Sequence, residues 1–470
     1  MTNNIVTVNV SVTQAPTPSN LQKSGCFVTQ GGTTGAAGTQ TLLTQLSDLT
    51  AILTPAKAIT TLAWASGTVT ATVAAHGLGS SGTFYVTISG AVPAAYNGTF
   101  LATLTNGTHF TYPLASDPGA ETTPGTYQLA SAVQLLQKAT TFFAQGAGQA
   151  VYVNELGFGN PAAGVTALNT WIGNNPSVYY SYLLDREWAS ESTYLTFLAQ
   201  FEALTSKTFF FTTMTNSNYT AFTSAMNCVV GMIEAPAVAA ANSALAGATV
   251  AGTEFSLAAA FWVSLNYTPS STSRVTPYAF SFLYGVTAYP LSGNGALFTA
   301  WKAAGVNWVG SGSEGGLTNT ILYWGTTMDG RSFNYWYSVD WAQINIDIDV
   351  SNAIINGSNN PQNPLYLNQD GINRLQAVAA RTLSNGISYG LIFGKLQQTA
   401  LTPSAFTAAY AAGQFSGSAV VNADPFTDYY RTNPSNYRLG VYGGFSVVYT
   451  PLLGFTQVIF NINVTDFVVQ

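Results

Sequence analysis

Three neighbouring charged residues are the strongest candidates for chemistry in this sequence. Asp185, Arg186 and Glu187 follow the apolar run VYYSYLL, which is typical of a buried parallel strand. Enzymes of the α/β class place catalytic groups at that end of a strand, so the two acids could act as a pair with a positioning arginine. Because neither a histidine nor a third carboxylate accompanies them, a local ion pair that closes the sheet edge is favoured over catalysis.

Other acidic motifs give equally weak support for an enzyme. Glu314, in the phrase SGSEGG, reads as a loop acid. A glycan-processing protein with Asp185, Glu187 or Glu314 as its acids is one alternative, since such carboxylates lie about 5–10 Å apart in a cleft lined by aromatic residues. Asp347 and Asp349 lack the further oxygen ligands that Ca²⁺ needs. The sequence predicts no catalytic activity and no cofactor.

Phosphate and metal motifs are also missing. GLIFGK, at 390–395, has three residues between its glycines where a phosphate loop has four, and no serine or threonine follows the lysine. His76 and His109 lie in turn phrases and are expected to be structural. Cys26 and Cys228 are far apart in apolar runs, which indicates buried thiols.

The composition indicates a folded chain with very few charges. Hydrophobic residues make up 47% and aromatic residues 13%, whereas only 7% are charged, against about 25% in ordinary soluble domains. A surface of Thr, Ser, Asn, Gln and Gly repels copies of itself weakly, which suits a polymer. A secreted or thermally robust protein with a neutral coat is the other interpretation. The net charge of −6, with 13 Lys and Arg, offers no basic stripe to nucleic acid.

The N-terminus predicts no targeting segment. MTNNIVTVNVSV lacks the basic and continuously apolar regions of a signal peptide. No uninterrupted run of about 18 apolar residues is present, so membrane insertion is not expected. After synthesis the protein is therefore expected to be found first in the cytoplasm.

Apolar patterning divides the chain into five parts and predicts a multidomain α/β and α+β fold. From residue 127 helical and strand patterns alternate, which favours a central, mainly parallel sheet. The predicted parts are a β arm and linker (1–20), the start of the α/β core (21–57), an inserted all-β module (58–118), the α/β domain (119–355) and a C-terminal α+β domain that ends in a β arm (356–470).

Some elements can be predicted individually. Leu42, Leu43, Leu46 and Leu49 follow helical spacing, and Pro55 marks the end of that helix. The stretch NTILYWGTTMDGRSFNYWYS predicts β structure. A helix is predicted over 340–356, although its Asn, Asp and Ile content leaves a strand open.

Both ends of the chain alternate apolar and polar residues at period two, as strands do. The first segment, 4–13, is followed by the linker APTPSN, which cannot continue a sheet. Each end could be an edge strand of its own domain or could pair with the sheet of another subunit. The residues that would form these inter-subunit strands are Ile5, Val6, Val8, Val10, Val12, Val458, Phe460, Ile462 and Val464.

The segment DGRSFNYWYSVDWAQINIDIDV, continuing to a later Asp-Gly-Ile, resembles a family of phage tail sheath proteins catalogued as domain of unknown function 3383. The family phrase has a glycine, an aspartate and a DW-x-Q before one helix, and D-G-I opens a second. The module at 58–118 resembles a β module inserted in many phage and bacterial surface proteins. The residues of this chain that carry the sheath resemblance are Asp329, Gly330, Asp340, Trp341, Gln343, Asp370, Gly371 and Ile372.

The resemblance implies a structural subunit of a contractile bacteriophage tail. Such subunits stack as hexameric rings around a tail tube, donate terminal strands to their neighbours and contract to drive the tube through the host envelope. The implied partners are other copies of the chain, the tail tube protein, and the baseplate and tail terminator. The implied location is the virion. A cell-surface adhesin or S-layer-like protein is the alternative, favoured by the low charge and the β module.

Overall fold

A computed structural model of the chain describes residues 20–203, 207–244, 254–314 and 317–457. The nine residues predicted to form inter-subunit strands lie outside these ranges. Within them, no helix is both long and apolar enough to cross a membrane.

Strands are distributed over the whole described chain. In chain order they are β1 (Gly25–Thr29), β2 (Gln40–Leu43), β3 (Lys57–Ala65), β4 (Thr68–Val73), β5 (Thr83–Ser89), β6 (Gly98–Asn106), β7 (His109–Pro113), β8 (Thr126–Leu129), β9 (Val151–Glu155), β10 (Ser181–Leu183), β11 (Phe209–Met214), β12 (Val229–Ile233), β13 (Asn307–Glu314), β14 (Leu317–Tyr323), β15 (Ile392–Phe393), β16 (Lys395–Thr399), β17 (Ser418–Ala423), β18 (Phe445–Val448) and β19 (Thr450–Pro451).

Helices connect most of the strands outside the β module. They are α1 (Leu46–Thr50), α2 (Ala130–Phe143), α3 (Pro161–Asn174), α4 (Ser192–Leu198), α5 (Pro236–Ala244), α6 (Ser256–Leu265), α7 (Gly295–Ala303), α8 (Phe333–Ser358), α9 (Gln369–Ser388), α10 (Pro403–Ala411), α11 (Phe426–Thr432) and α12 (Pro434–Arg438).

The largest sheet has eight strands in the order β14-β13-β12-β11-β10-β1-β9-β2. The six inner strands run parallel, and the outer strands β2 and β14 run antiparallel to their neighbours. Helix-length connections between most successive inner strands explain the parallel order, because a tight turn cannot return the chain in the same direction. The fold is therefore mixed α/β, as the alternating pattern predicts.

Helices cover both faces of this sheet. Helices α2, α6 and α8 pack on one face, and α3, α4 and α7 pack on the other. Strand β11 shows why both faces must be covered: Phe209 and Phe211 enter the first core and Phe210 enters the second, and all three are buried. Burying each phenylalanine contributes about 1.5–3 kcal/mol, so exposing either face would be costly.

The inserted module is a closed six-stranded barrel in the order β3-β4-β7-β6-β5-β8. The boundary predicted at residue 118 is too early, because the closing strand β8 begins at Thr126. Residues 115–125 carry the Pro and Gly turn signals that suggested an end, yet the chain returns from them to pair Thr126 with Ala58 and Tyr127 with Lys57. Strand β8 is followed directly by α2, so its short strand pattern is difficult to separate from the helical pattern in the sequence.

The C-terminal part packs on the long helix α8. Helix α9 lies against α8 and against β16 and β17. Strands β16, β17 and β18 form a three-stranded sheet in that order, with β17 fully buried between the other two. Strands β15 and β19 pair separately.

Two predicted elements differ from the structure. Leu42 and Leu43 lie in β2, and the helix α1 begins only at Leu46, because the outer edge of the large sheet takes this segment as a strand against β9. The β structure predicted through residue 338 ends at Tyr323, and α8 begins at Phe333, where the hydroxyl of Ser332 accepts a hydrogen bond from the Asn334 N–H and caps the helix. The region after Trp341 is helical, which confirms the predicted helix over the alternative strand.

Candidate functional site

The candidate acids lie in a charge cluster where β10 leaves the large sheet. Lys138, on α2, donates to Asp185 Oδ1 at 2.6 Å, and their side chains are 0% and 3% exposed. The Lys138 ammonium also donates to the carbonyls of Val28 and Leu183. Burial lowers the pKa of Lys138, while the neighbouring Asp185 carboxylate acts in the opposite direction. Asp185 is therefore committed to an internal ion pair.

Arg186 is held just as fully. Its guanidinium donates to both oxygens of Glu234, at 2.7 and 2.9 Å, in the two-point geometry that carboxylates and arginine favour. It donates further to Gln137 Oε1 at 2.7 Å and to the Glu254 carbonyl at 3.0 Å, and it lies over the Phe255 ring. The N–H donors of Arg186 are therefore directed at other groups of the protein.

Glu187 completes the cluster. Its carboxylate accepts two hydrogen bonds, at 2.7 and 2.6 Å, from the amide of Gln134. Burial raises the pKa of Glu187, and the nearby negative charge of Asp185 raises it further. The local ion pair that the sequence favoured among these three residues is not formed: Asp185 pairs with Lys138, Arg186 pairs with Glu234, and Glu187 accepts from an amide.

A cleft of about 540 Å³ lies between this cluster and the barrel. Tyr85 and Thr87 line it from the barrel side, and Thr213, Asn216 and Tyr289 line it from the sheet side. Glu314, expected in a loop, is the last residue of β13, and its side chain lies outside the described part of the chain. Among the described residues, no group of three or more His, Cys, Asp or Glu could hold a metal ion.

The histidines and cysteines have structural surroundings. His76 is 1% exposed, its Nδ1 accepts from the Leu78 N–H, and its Nε2 contacts the Asn106 carbonyl at 2.7 Å, so it joins two turns of the barrel. Cys26 and Cys228 are buried free thiols, as predicted. Burial raises the pKa of Cys228 to about 12 and that of Cys26 further, so both stay protonated and unreactive.

The motif residues before α8 build a turn. Asp329 accepts from the Thr327 hydroxyl, from the Arg331 N–H and from the Trp336 indole N–H, the last at 3.1 Å. Gly330 has a φ of 78°, which favours glycine. The Asp-Gly pair therefore fixes the entry to the long helix.

Within α8, the motif residues Asp340 and Trp341 lie in the core, and Gln343 is partly buried. Asp340 is 2% exposed, and the Tyr180 hydroxyl donates to it at 2.9 Å. Burial raises the pKa of Asp340 to about 7, against the opposing effects of the Tyr180 hydrogen bond and the Lys207 charge. The Trp341 ring packs against Tyr389, with ring centroids 5.8 Å apart.

The Asp-Gly-Ile phrase starts α9. The side chain of Asn368 accepts from the Gly371 N–H at 2.9 Å and caps the helix. A side chain at Gly371 would overlap the Tyr366 carbonyl, and Ile372 is buried. The phrase is therefore explained by packing and capping.

Sequence reasoning missed the partners that complete these networks, among them Glu234, Lys138 and Tyr180. Lys138 had a signal, because it is the one cation in the apolar helix SAVQLLQKATTFF. Tyr180 had none, because a tyrosine in an apolar strand does not reveal that its hydroxyl will meet a buried carboxylate 160 residues away.

The sheet that could accept donated strands is described, although the arms are not. Strands β16 and β18 each have one strand neighbour among the described residues, so each is an edge of the three-stranded sheet. Residue Lys395 of β16 is exposed, and Phe445–Val448 is partly exposed along its whole length.

Comparison with known proteins gives similarity only at the level of structure. No protein-family model matches the chain, and no curated protein matches it. The chain is similar to the sheath tail protein Lin1278 from Listeria innocua, with a TM-score of 0.37, 9% identity, and coverage of 81% of this chain and 86% of that one. It is also similar to the helical sheath of the anti-feeding prophage in its contracted state, with a TM-score of 0.45, 12% identity, and coverage of 98% and 100%. Both are tail sheath proteins.

Proposed function

We propose that the chain is a structural subunit of a contractile bacteriophage tail sheath. Copies polymerise as stacked hexameric rings around the tail tube, and contraction of the lattice drives the tube through the host envelope. Each subunit is joined to its neighbours by strands donated from residues 4–13 and 456–469. The tube protein, the baseplate and the tail terminator are the other proposed partners, and the virion tail is the proposed location.

The observation that carries this proposal is the match between the chain ends and the C-terminal sheet. Strands β16 and β18 are edges of five and four residues. The ends of the chain supply two segments with the period-two alternation of strands. A donated strand would add ladder hydrogen bonds to an edge, while the linker APTPSN (15–20), with Pro16 and Pro18, bends between subunits.

The chemistry of the described chain supports a structural role. The charged residues Asp185, Arg186 and Glu187 are engaged in internal pairs, as described above. Only 7% of residues are charged, so copies repel each other weakly when packed closely. Contraction requires no nucleotide if the extended lattice is metastable and subunits slide into better-buried contacts.

Electron microscopy of the purified chain tests the proposal. The full-length chain is expected to form hollow tubes or stacked rings, and a chain that lacks residues 1–18 is expected to remain unassembled. A finer variant, Val8→Asp with Val10→Asp, places charges on the apolar face of the first arm and should also prevent assembly, because an unpaired charge resists burial against a sheet.

A matched control separates the strand face from added charge. Thr7→Asp with Asn9→Asp adds the same charges to the opposite face and should assemble far better than the valine variant. A wild-type chain that fails to assemble even around purified tail tubes would refute the sheath proposal and favour the adhesin or S-layer alternative. Equal assembly by all variants would refute strand donation and leave the sheath role intact.

A further inference from the structure

Three exposed aromatic side chains form a row beside the antiparallel edge of the large sheet. Phe280, Phe282 and Tyr284 are 37%, 45% and 57% exposed, and we call them the aromatic stripe. Leu283, between the last two, is 1% exposed. Phe282 bridges to Ile321 of β14, and its outward ring beside the inward Leu283 is the alternation of an extended chain, whereas Phe280 precedes this extended part with a φ of 62°.

The backbone of the aromatic stripe is hydrogen-bonded to β14. The Phe280 N–H donates to the Leu322 carbonyl at 2.8 Å, and the Leu283 N–H donates to the Thr320 carbonyl at 3.0 Å, so the segment runs along β14. The Phe280 ring packs edge-on against Tyr323, with centroids 5.3 Å apart. An ordered row of exposed rings is an apolar surface of the kind that marks an interaction site.

The last described residues bring the chain to this surface. The Leu452 N–H donates to the Leu391 carbonyl at 2.8 Å, and Gly454 packs so closely on Pro277 that a side chain there would overlap it. Lys302 then donates to Gln457 Oε1 at 2.6 Å. We call residues 452–457 the strap.

The end of the strap lies beside the stripe. The Lys302 ammonium that holds Gln457 lies 4.2 Å from the centroid of the Trp324 ring. That ring is 6.3 Å, centroid to centroid, from Phe280. Lys302 and Trp324 therefore connect the end of the described chain to the first ring of the stripe.

The residues that follow the strap fit this surface in length and pattern. Residues 458–470, VIFNINVTDFVVQ, place Val458, Phe460, Ile462 and Val464 on one face of an extended chain. At about 3.3 Å per residue, thirteen residues reach roughly 43 Å, whereas the stripe spans only about 13 Å. The segment can therefore cover the stripe without strain.

We propose that, in the free subunit, residues 458–470 dock their apolar face on the aromatic stripe of the same chain. The strap fixes the start of the segment beside the stripe, so docking within the chain is favoured by a high effective concentration. The proposal does not rest on the sheath function. If the segment is also donated to a neighbouring subunit, it must first leave the stripe, and the stripe then becomes a second exposed surface in the assembly.

Cross-linking tests the docking in dilute full-length protein. The variant with Phe282→Cys and Ile462→Cys is treated with a short bismaleimide, to which the buried Cys26 and Cys228 do not respond. The control pairs Ile462→Cys with Leu101→Cys, because Leu101 on the barrel is 44% exposed and so matches Phe282. Phe282 and Leu101 are both exposed, so a cysteine at either position leaves the core unchanged.

The expected result is a cross-link within one chain, in a yield about tenfold or more above the Leu101 control, because the strap tethers the segment beside the stripe. Cross-linking that yields only covalent dimers and longer ladders would overturn the proposal, since the segment would then occupy a neighbour. A yield within the chain equal to that of the control would overturn it as well. Neither result bears on whether the chain assembles into tubes.

Discussion

At the residue scale, the described chain places several of its few charged residues in one internal cluster. Lys138 and Asp185 form a pair that is almost completely buried, and Arg186 joins Glu234 beside it. Lys138 lies on α2, Asp185 and Arg186 follow β10, and Glu234 follows β12. The cluster therefore connects α2 with the carboxyl ends of two strands of the large sheet. In a buried pair of this kind, removing one charge strongly destabilises the protein, because the other charge is then buried without a partner.

Removing the ammonium of Lys138 is expected to destabilise the protein strongly. Lys138→Met leaves the Asp185 carboxylate buried without its partner, which should lower the free energy of unfolding by about 3–5 kcal/mol in urea titration. The control is Arg331→Met, which breaks a 3.9 Å pair whose arginine is 52% exposed and should cost less than about 1 kcal/mol. The double variant Lys138→Met with Asp185→Asn should recover part of the loss. Similar values for Lys138→Met and Arg331→Met would contradict the assignment.

Asp340 makes stability depend on pH. Because burial raises its folded pKa to about 7, the folded protein keeps this proton between about pH 4 and about pH 7, while the unfolded chain releases it. The contribution of Asp340 to stability therefore falls as pH rises through this window and is level above it. The Asp340→Asn variant has no carboxyl group to titrate but keeps an oxygen that accepts from the Tyr180 hydroxyl. The free energy of unfolding of this variant, relative to that of the wild type, should therefore rise by about 1–4 kcal/mol as the pH rises from about 4 to about 7.

Urea titrations over this pH range measure the difference for Asp340→Asn. Asp370→Asn, which removes an exposed carboxyl from the first turn of α9, controls for the general loss of a negative charge. Curves for Asp340→Asn and wild type that remain parallel from about pH 4 to about pH 7 would contradict the pKa of Asp340.

At the element scale, periodicity predicts helices and strands where each element is long and has its own apolar face. The helix pattern of SAVQLLQKATTFFAQ becomes α2, and the all-buried FFFTTM becomes β11. The pattern fails where tertiary pairing decides. Leu42 and Leu43 have helical spacing, but they form a strand because they pair with β9. Strand β8 is only four residues long, so its sequence pattern does not predict that it closes a barrel.

The candidate site is predictable in type but not in its partners. The sequence places Asp185, Arg186 and Glu187 after a strand and favours ion pairing, and the structure brings Lys138 and Glu234 to them. Those partners are about 50 residues away in sequence, so only the packing of α2 and β12 reveals them. The motif residues Asp329, Asp340 and Gly371 are recognisable as a phrase, yet their roles in turn, core and cap emerge only from contacts.

Gly371 offers a test of one such role. Gly371→Ala puts a methyl group against the Tyr366 carbonyl, so the start of α9 must shift, and the free energy of unfolding should fall by about 1–3 kcal/mol. Gly173→Ala is the matched control, because Gly173 lies in α3 with no atom within 4 Å of the new methyl group. That variant should gain about 0.5–1 kcal/mol from helix propensity. Equal effects of the two substitutions in urea titration would show that the close contact is not decisive.

At the scale of the whole molecule, the barrel is an insertion whose two ends lie side by side. Ala58 pairs with Thr126 across antiparallel strands, and the amide of Gln128 donates to the Thr54 carbonyl. The barrel also contacts the rest of the chain, since its Phe84 ring lies 5.3 Å from that of Phe158. The module is therefore separable in topology but shares apolar contacts with the α/β domain.

Excision of the barrel should leave a folded chain. Replacing residues 59–125 with Asn-Gly joins Ala58 to Thr126 as a two-residue hairpin, a length that suits paired residues. We expect soluble protein with a lower urea midpoint, because the surface around Phe158 becomes exposed. The control replaces 58–118 with Asn-Gly, which removes Ala58, the partner of Thr126, and keeps the loop 119–125 between Lys57 and β8, so it should give much less soluble protein. Equal soluble yields would contradict the placement of β8 in the barrel.

The closure of the barrel has a consequence for faithful assembly. If the ends of the chain are donated as strands, as proposed above, every unfilled sheet edge competes for them, including edges of the chain's own β structure. In the closed barrel each of the six strands has a neighbour on both sides, and only the seam between β3 and β8 is short, with two residue pairs. An insertion of nearly 70 residues therefore adds little unpaired edge that would compete for a donated strand.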